Sequence, residues 1–366
     1  MDPRLSNLAR ILVQYSLEIK PGDIFKIAAE PVAAPLVKAV YEEAIKCGAN
    51  IFTQIAFIDL AEMFLKNGSD EQLSFYSPLK KFEVENIDAQ LTIWGSTNTK
   101  FLSGINPARL QLVSKANRSY LERFLTRQAE GKLKWCGTQF PTDAHAQDAE
   151  MSLSEYEDFV FSAGHVHENN PVEYWQKVAK EQDRLIRILN RAEVIHLRAD
   201  GTDLQVGVKN RKWINCCGQK NFPDGEIFTS PLENFTTGTV KFTHPAFYVG
   251  REVAGVRLTF KDGAVVEATA DKDAEYLLAM IGADEGSRRL GEFAIGTNYE
   301  IKKFTRNTLF DEKIGGTCHM ALGNSLPESG GLNKSGIHWD MVCDLKKGGE
   351  ISADGVVIYR NGAFLI

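Results

Sequence analysis

The sequence predicts an α/β protein in two parts, an N-terminal parallel α/β domain over residues 1–190 and a C-terminal β-rich α+β domain over residues 191–366. Three observations predict it. The length of 366 residues exceeds what one hydrophobic core usually serves. Helical and strand periods alternate through the first half, the pattern of a parallel sheet covered on both faces. After about residue 190 the chain turns to short runs rich in Val, Ile and Thr, broken by Gly, Asn and Asp.

The elements follow in order. "RLSNLARILVQYSL" sets Leu5, Leu8, Leu12 and Tyr15 at helical spacing. "KPGD" is a turn, and "IFKIAA" a buried strand. "APLVKAVYEEAIKCGA" reads as a helix with Gly48 near its C-terminal end. "NIFTQIAFI" is a second strand, "AEMFLKN" and "SDEQLSFYSPLKKFE" are helical, and "AQLTIWGST" is a third strand. Long helices are expected at "NPARLQLVSKANRSYLERFLTRQ" and "NPVEYWQKVAKEQDRLIRILNRA", with Asn106 and Asn170 as N-caps, each followed by proline. Between them, Ser152 and Glu155 form a capping box. In the second half, "VAGVRLTFKDGAVVEATA" and "GVVIYRNGAFLI" are hairpins turning at "KDG" and "NG". There is no internal repeat.

Composition narrows the function classes. Hydrophobic residues make up 43% and charged residues 25%, ordinary for a globular chain with a large core. A net charge of −6 argues against nucleic acid, whose phosphates need a basic face. No apolar run nears the ~20 residues needed to span a bilayer, so no membrane partner is expected. The N-terminal stretch lacks a basic leader with an uninterrupted apolar core, so no signal peptide is expected either. Six scattered cysteines without a C-x-x-C pair fit reduced thiols in a cytosol, not a zinc knuckle.

The chemistry-bearing residues gather in the β-rich half. Glu226 lies in "FPDGEIFTSP", Glu292 in "RRLGEFAIGTN" and Glu312 in "LFDEKIGG", followed by His319, His338 and Asp340. Several flank glycine, which lets backbone turn tightly beside a site. If "GIHWDMV" is a strand, His338 and Asp340 leave the same face and Cys343 the other; in "TCHMALG", His319 and Cys318 face opposite ways. Carboxylates with two imidazoles and no thiolate suit zinc, cobalt, manganese or magnesium in a hydrolytic site. Paired ions need a carboxylate to bridge them. The bland readings are a hydrogen-bonded His-x-Asp pair and solvated glutamates, with Glu292 capping a helix or pairing with Arg288 or Arg289. His165 and His167 have metal-like spacing but read as a surface loop. His145, His196 and His244 have no acidic cluster around them. No G-x-S-x-G elbow, phosphate loop or G-x-G-x-x-G is present.

At these residues the sequence resembles a known family. "RKWINCCGQKNFPDGEIFTSP", "RRLGEFAIGTNYEIKKFTRNTLFDEKIGGTCHMALG" and "SGIHWDMVCDL" look like the thermophilic aminopeptidases, also called the aminopeptidase T or M29 metallopeptidase family. "LARILVQYSLEIKPGD" and "MSLSEYEDFVFSAG" extend the likeness over nearly the whole chain. The resemblance implies two divalent metal ions, removal of single residues from peptide N-termini, and a homodimer with an enclosed site. Carried over by motif, the metal ligands would be Glu226, Glu292, His319, His338 and Asp340, with Glu292 as the bridge. Glu312 would be a ligand or, like Glu292, a candidate catalytic base. Gly315 and Gly316 lengthen the interval between Glu312 and His319. One departure stands out: Leu326 occupies the place of a family tyrosine whose phenol could donate to an oxyanion, with Tyr248 and Tyr299 as alternative donors. That departure leaves a second expectation, a relative that binds metal or peptide without efficient turnover.

Overall fold

The computed structural model describes residues 2–366. By contacts the chain forms two compact units, Met1–Tyr174 with Gly218–Pro223, and Trp175–Cys217 with Asp224–Ile366.

The first unit alternates as its periodicities require. In chain order its elements are α1 (Pro3–Arg10), β1 (Ile24–Ala29), α2 (Ala34–Lys46), β2 (Asn50–Ile55), α3 (Ile58–Asn67), α4 (Asp70–Leu73), α5 (Pro78–Asn86) and β3 (Ala89–Trp94). Then follow α6 (Pro107–Ala116), α7 (Arg118–Ala129), β4 (Lys134–Gln139), α8 (Asp143–Asp148), α9 (Leu153–Ala163) and the start of α10 (Pro171–Leu189). Strands β1 to β4 form a parallel sheet in the order β2-β1-β3-β4, closed by the short parallel pairing of Asn221 and Phe222. Asn106 caps α6, and Ser152 with Glu155 makes the capping box of α9. Gly48, at φ +79°, ends α2 in the left-handed conformation that glycine adopts without penalty. The expected single helix over 106–128 is two, because at Asn117 the chain leaves helical geometry and its amide donates to the Val113 carbonyl. Strand β4 was not anticipated: "KWCGTQ" is buried between neighbours and has no alternation to reveal it.

The second unit is antiparallel. Its strands are β5 (Val194–Ala199), β6 (Thr202–Gly207), β7 (Ile214–Cys216), then, after β8 (Asn221–Phe222) of the first unit, β9 (Glu226–Thr229) and β10 (Thr237–Lys241). There follow β11 (Ala246–Tyr248), β12 (Arg251–Val253), β13 (Arg257–Lys261), β14 (Ala264–Thr269), α11 (Ala274–Ile281), β15 (Leu290–Gly296), α12 (Thr308–Asp311), β16 (Thr317–Gly323) and β17 (His338–Asp344). The chain ends on β18 (Glu350–Ala353), β19 (Val356–Arg360) and β20 (Ala363–Phe364). Eight strands form one sheet, β14-β13-β10-β6-β5-β18-β19-β20, and five form another, β17-β16-β15-β9-β7. The hairpins turn at Asp262-Gly263 and Asn361-Gly362, all four at positive φ as two-residue hairpin turns need.

One apolar core takes side chains from both sheets. Strand alternation decides which ones: Phe293 and Ile295 of β15, Cys318, Met320 and Leu322 of β16, and Trp339, Met341 and Cys343 of β17 all enter it. The residues between them stand on the opposite face of the five-stranded sheet. Among the described residues no helix is long and apolar enough to cross a membrane.

Candidate metal centre

Five of the six anticipated residues rise from that opposite face. Glu226 opens β9, Glu292 lies in β15, His319 in β16, and His338 and Asp340 in β17. Each has a small cross-strand neighbour on at least one side. Gly296 pairs with Glu226, Ala294 with His319, Ala321 with both Glu292 and Asp340, and Gly323 with His338. Small partners leave the long polar side chains free to converge over the sheet. Glu312, the sixth, closes α12 just before β16.

The two imidazoles are oriented from behind. His319 Nδ1 donates to the Glu312 carbonyl at 2.9 Å and His338 Nδ1 to the Asn324 carbonyl at 2.8 Å. A carbonyl only accepts, so each ring carries a proton on Nδ1 and turns Nε2 toward the carboxylates. His319 Nε2 lies 3.4 Å from Glu292 Oε1 and 3.5 Å from Glu226 Oε2. His338 Nε2 lies 3.2 Å from Glu292 Oε2 and 3.6 Å from Asp340 Oδ1. Neighbouring donors around a tetrahedral ion with ~2.0–2.2 Å bonds are about 3.3–3.6 Å apart. Glu292 therefore presents one oxygen to each imidazole, as a bridging carboxylate would.

The donors group into overlapping triads: Glu226–Glu292–His319, Glu292–His338–Asp340 and Glu312–His319–Asp340, each with ligand atoms within 4.8 Å of one another. Glu226, Glu292 and His319 are buried, while the His338 side chain is 31% exposed, so the cluster opens at that end. Glu226 Oε2 and Asp340 Oδ1 are buried without a hydrogen-bond partner. A buried carboxylate oxygen left unsatisfied is costly, and a divalent cation would satisfy both. The residues present fit a metal site.

Charge coupling is strong across the cluster. Burial pushes Glu226 up to about 8 against the pull of Lys313. Burial works the same way on Glu292, but hydrogen bonds from His319 and His338 bring it down to about 2. The imidazoles move oppositely: burial disfavours their charged forms, yet the carboxylates raise His319 to about 10 and His338 to about 12. Burial also raises Glu312. Protons on the imidazoles balance the acids here, and a metal ion would displace them.

Residues 1–364 of the chain match the thermophilic metalloprotease (M29) family. The chain belongs to that family. Among its relatives, Aminopeptidase PepS of Streptococcus thermophilus is 28% identical over 99% of this chain and 98% of its own length. Aminopeptidase 2 of Geobacillus stearothermophilus is 26% identical, covering 99% and 97% of the two chains. Aminopeptidase T of Thermus thermophilus is 27% identical, covering 98% and 95%. The solved structure of wild-type AmpT from Thermus thermophilus has the same fold, with a TM-score of 0.86 over 99% of both chains at 24% identity.

Three neighbours of this M29 cluster were not anticipated. Lys313 is fully buried, 3.6 Å from Glu226 Oε1 and in contact with Glu312 Oε1. In "DEKIGG" it reads as a solvated charge. Asp224 and Cys216 group with Glu226. Asp224 reads as a turn residue in "PDGE", and Cys216 comes near only through its β7–β9 register opposite Glu226. Burial and the nearby Asp224 and Glu226 hold the Cys216 thiol well above its usual range, which keeps it protonated. Elsewhere, His165 is buried and stacks on Tyr174, ring centroids 3.7 Å apart, so the expected surface loop describes only its exposed neighbour His167. Of the alternative phenols, Tyr299 donates to the Gly362 carbonyl at 3.0 Å, and the Tyr248 ring packs on Trp339, on the core side of β17.

Proposed function

We propose that this chain is a metal-dependent aminopeptidase that removes N-terminal residues from peptides at a two-ion site. One observation carries the two-ion reading: Glu292 divides its oxygens between two imidazoles that are each locked through Nδ1. The relatives' activity, named for chains matched nearly end to end, supports the aminopeptidase reading.

In this reading Glu226, Glu292 and His319 would hold one ion, and Glu292, His338 and Asp340 the other. The bound ions supply Lewis acidity, which polarises the scissile carbonyl and makes an attacking water more acidic. Both oxygens of Glu292 face imidazoles, so Glu312 is the better placed of the two candidate bases. Burial raises its affinity for a proton, against the pull of Lys313. It takes the proton from the attacking water and returns it to the leaving amine. A small pocket beside Glu312 and Asp340 is walled by Phe247, Phe304 and Val342. Leu326 offers no side-chain donor to an oxyanion; its backbone amide donates to Ser230 Oγ at 3.2 Å and its carbonyl accepts from Ser329 Oγ at 2.7 Å. The reading includes a homodimer, supported by the exposed Phe52, Ile55, Phe57, Leu60, Met63 and Phe64 along β2 and α3, an apolar surface suited to burial.

The test is hydrolysis of an aminoacyl-nitroanilide panel after chelator treatment and separate reloading with cobalt, zinc, manganese or magnesium. Turnover should vanish with the chelator and return with at least one ion. Tight metal binding with no turnover under any ion would instead support a repurposed relative, and Leu326→Tyr would be the next variant.

A further inference from the structure

Lys313 is the one fixed cation inside the cluster of carboxylates and imidazoles among the described residues. No part of it is exposed, and its ammonium reaches both Glu226 and Glu312. Its backbone is held on both sides. The amide donates to the Phe310 carbonyl at 3.0 Å, and its carbonyl accepts from Asn298 at 3.1 Å. Asn298 in turn donates through its side chain to the Asp224 carbonyl at 2.8 Å. The segment lies directly over β15, where a Cβ on Gly296 would meet the Ile314 carbonyl at 2.2 Å. The backbone that carries this ammonium is thus held beside Glu226 and Glu312.

The two halves of the cluster therefore differ. On the His338 side, Glu292 Oε2 and Asp340 Oδ1 face the imidazole with no fixed cation beside them. On the His319 side, Glu226 gives one oxygen to Lys313 and keeps only Oε2 toward the imidazole. Each imidazole faces two carboxylate oxygens, but an ion on the His319 side has an ammonium close by. Like charges in a buried setting repel more strongly than in water.

We propose that Lys313 is a positioning residue that fixes Glu226 and Glu312 and weakens the ion position on the His319 side, so that the two ions bind in order, the His338 side first. This rests on the two-ion reading above. It gives the chain one retained ion and one exchangeable ion.

The test is calorimetric titration of the metal-free protein with Co²⁺, wild type against Lys313→Met, with the cobalt absorption spectrum recorded alongside. In the wild type, two events should separate by ~10-fold or more in affinity, and Lys313→Met should tighten the weaker event by ~10-fold or more while moving the tighter one less than ~3-fold. A lysine with a merely structural role would, on removal, weaken both events, and that outcome overturns the proposal, as does an unchanged weaker event. Should Lys313→Met not fold without metal, the variant purified in Co²⁺ is challenged with graded chelator. It should then hold its second ion against more chelator than the wild type does, and releasing it sooner or equally overturns the proposal. The number of ions on the wild type judges the two-ion reading; the difference between variant and wild type judges Lys313.

Discussion

Glu292 is the residue on which the centre turns. It is 5% exposed, it faces both imidazoles, and two hydrogen bonds hold it ionised against the effect of burial. Glu292→Gln keeps the shape and removes the charge that two cations would share. Turnover should fall at least ~1000-fold, since charge stabilisation by bound ions supplies several kcal/mol. Metal analysis of the purified variant should show fewer ions per chain than the wild type. Full metal occupancy with wild-type turnover would refute the bridging role. His319, His338 and Asp340 could be placed on strand faces from the sequence, because each sits in a motif whose alternation fixes its face, whereas Glu292 stood out only as an acid beside glycine and took its bridging role from the family resemblance. Lys313 was not: nothing in "DEKIGG" separates a buried ammonium from a solvated one, and burial depends on the Asn298 and Gly296 backbones that close over it.

At the scale of elements, β17 shows how one strand serves core and site together. His338 and Asp340 face the cluster, while Trp339 between them is 1% exposed and packs against Tyr248 and Tyr276. Trp339→Ala should cost about 3–5 kcal/mol of stability, the usual penalty for emptying a large aromatic site in a core. Denaturant unfolding of the metal-free protein measures it, and a loss below ~1 kcal/mol would show that β17 is not anchored by this ring. The period-two pattern made β16, β17 and the two hairpins readable. What the pattern does not carry is register between strands distant in sequence. The approach of Glu226 to His319 depends on Gly296 pairing with Glu226 and Ala294 with His319 across β15. The change of texture near residue 190 marks the first antiparallel strand, β5, because α10 before it still has helical periodicity.

For the whole molecule, the shifted groups set how stability responds to pH. Glu226 is raised to about 8, so without metal the folded protein keeps a proton there that the unfolded chain releases above about 4.5. His319 and His338, raised to about 10 and about 12, likewise hold protons that the unfolded chain gives up above about 6.5. In each case the folded state binds more protons, so stability falls as pH rises. Glu292 acts oppositely: lowered to about 2, it contributes stability above about 4.5 that is lost as pH falls toward 2. Between pH 6 and 9 Glu292 is ionised in both states and adds no slope; the raised Asp311 and Glu312 act in the same sense as the other three, and the lowered His145 and His244 oppose them only toward pH 6. The metal-free protein should therefore lose Tm steadily over that range, by ~5 °C or more. Divalent metal reverses the dependence, because cations take the place of the protons and bind better as those protons leave. Thermal unfolding at pH 6, 7, 8 and 9, with chelator and with saturating Co²⁺, makes the comparison. The stabilisation by Co²⁺ should grow with pH. A metal-free Tm that rises from pH 6 to 9, or a Co²⁺ effect that shrinks over the same range, would mean that protons and metal do not compete for this cluster.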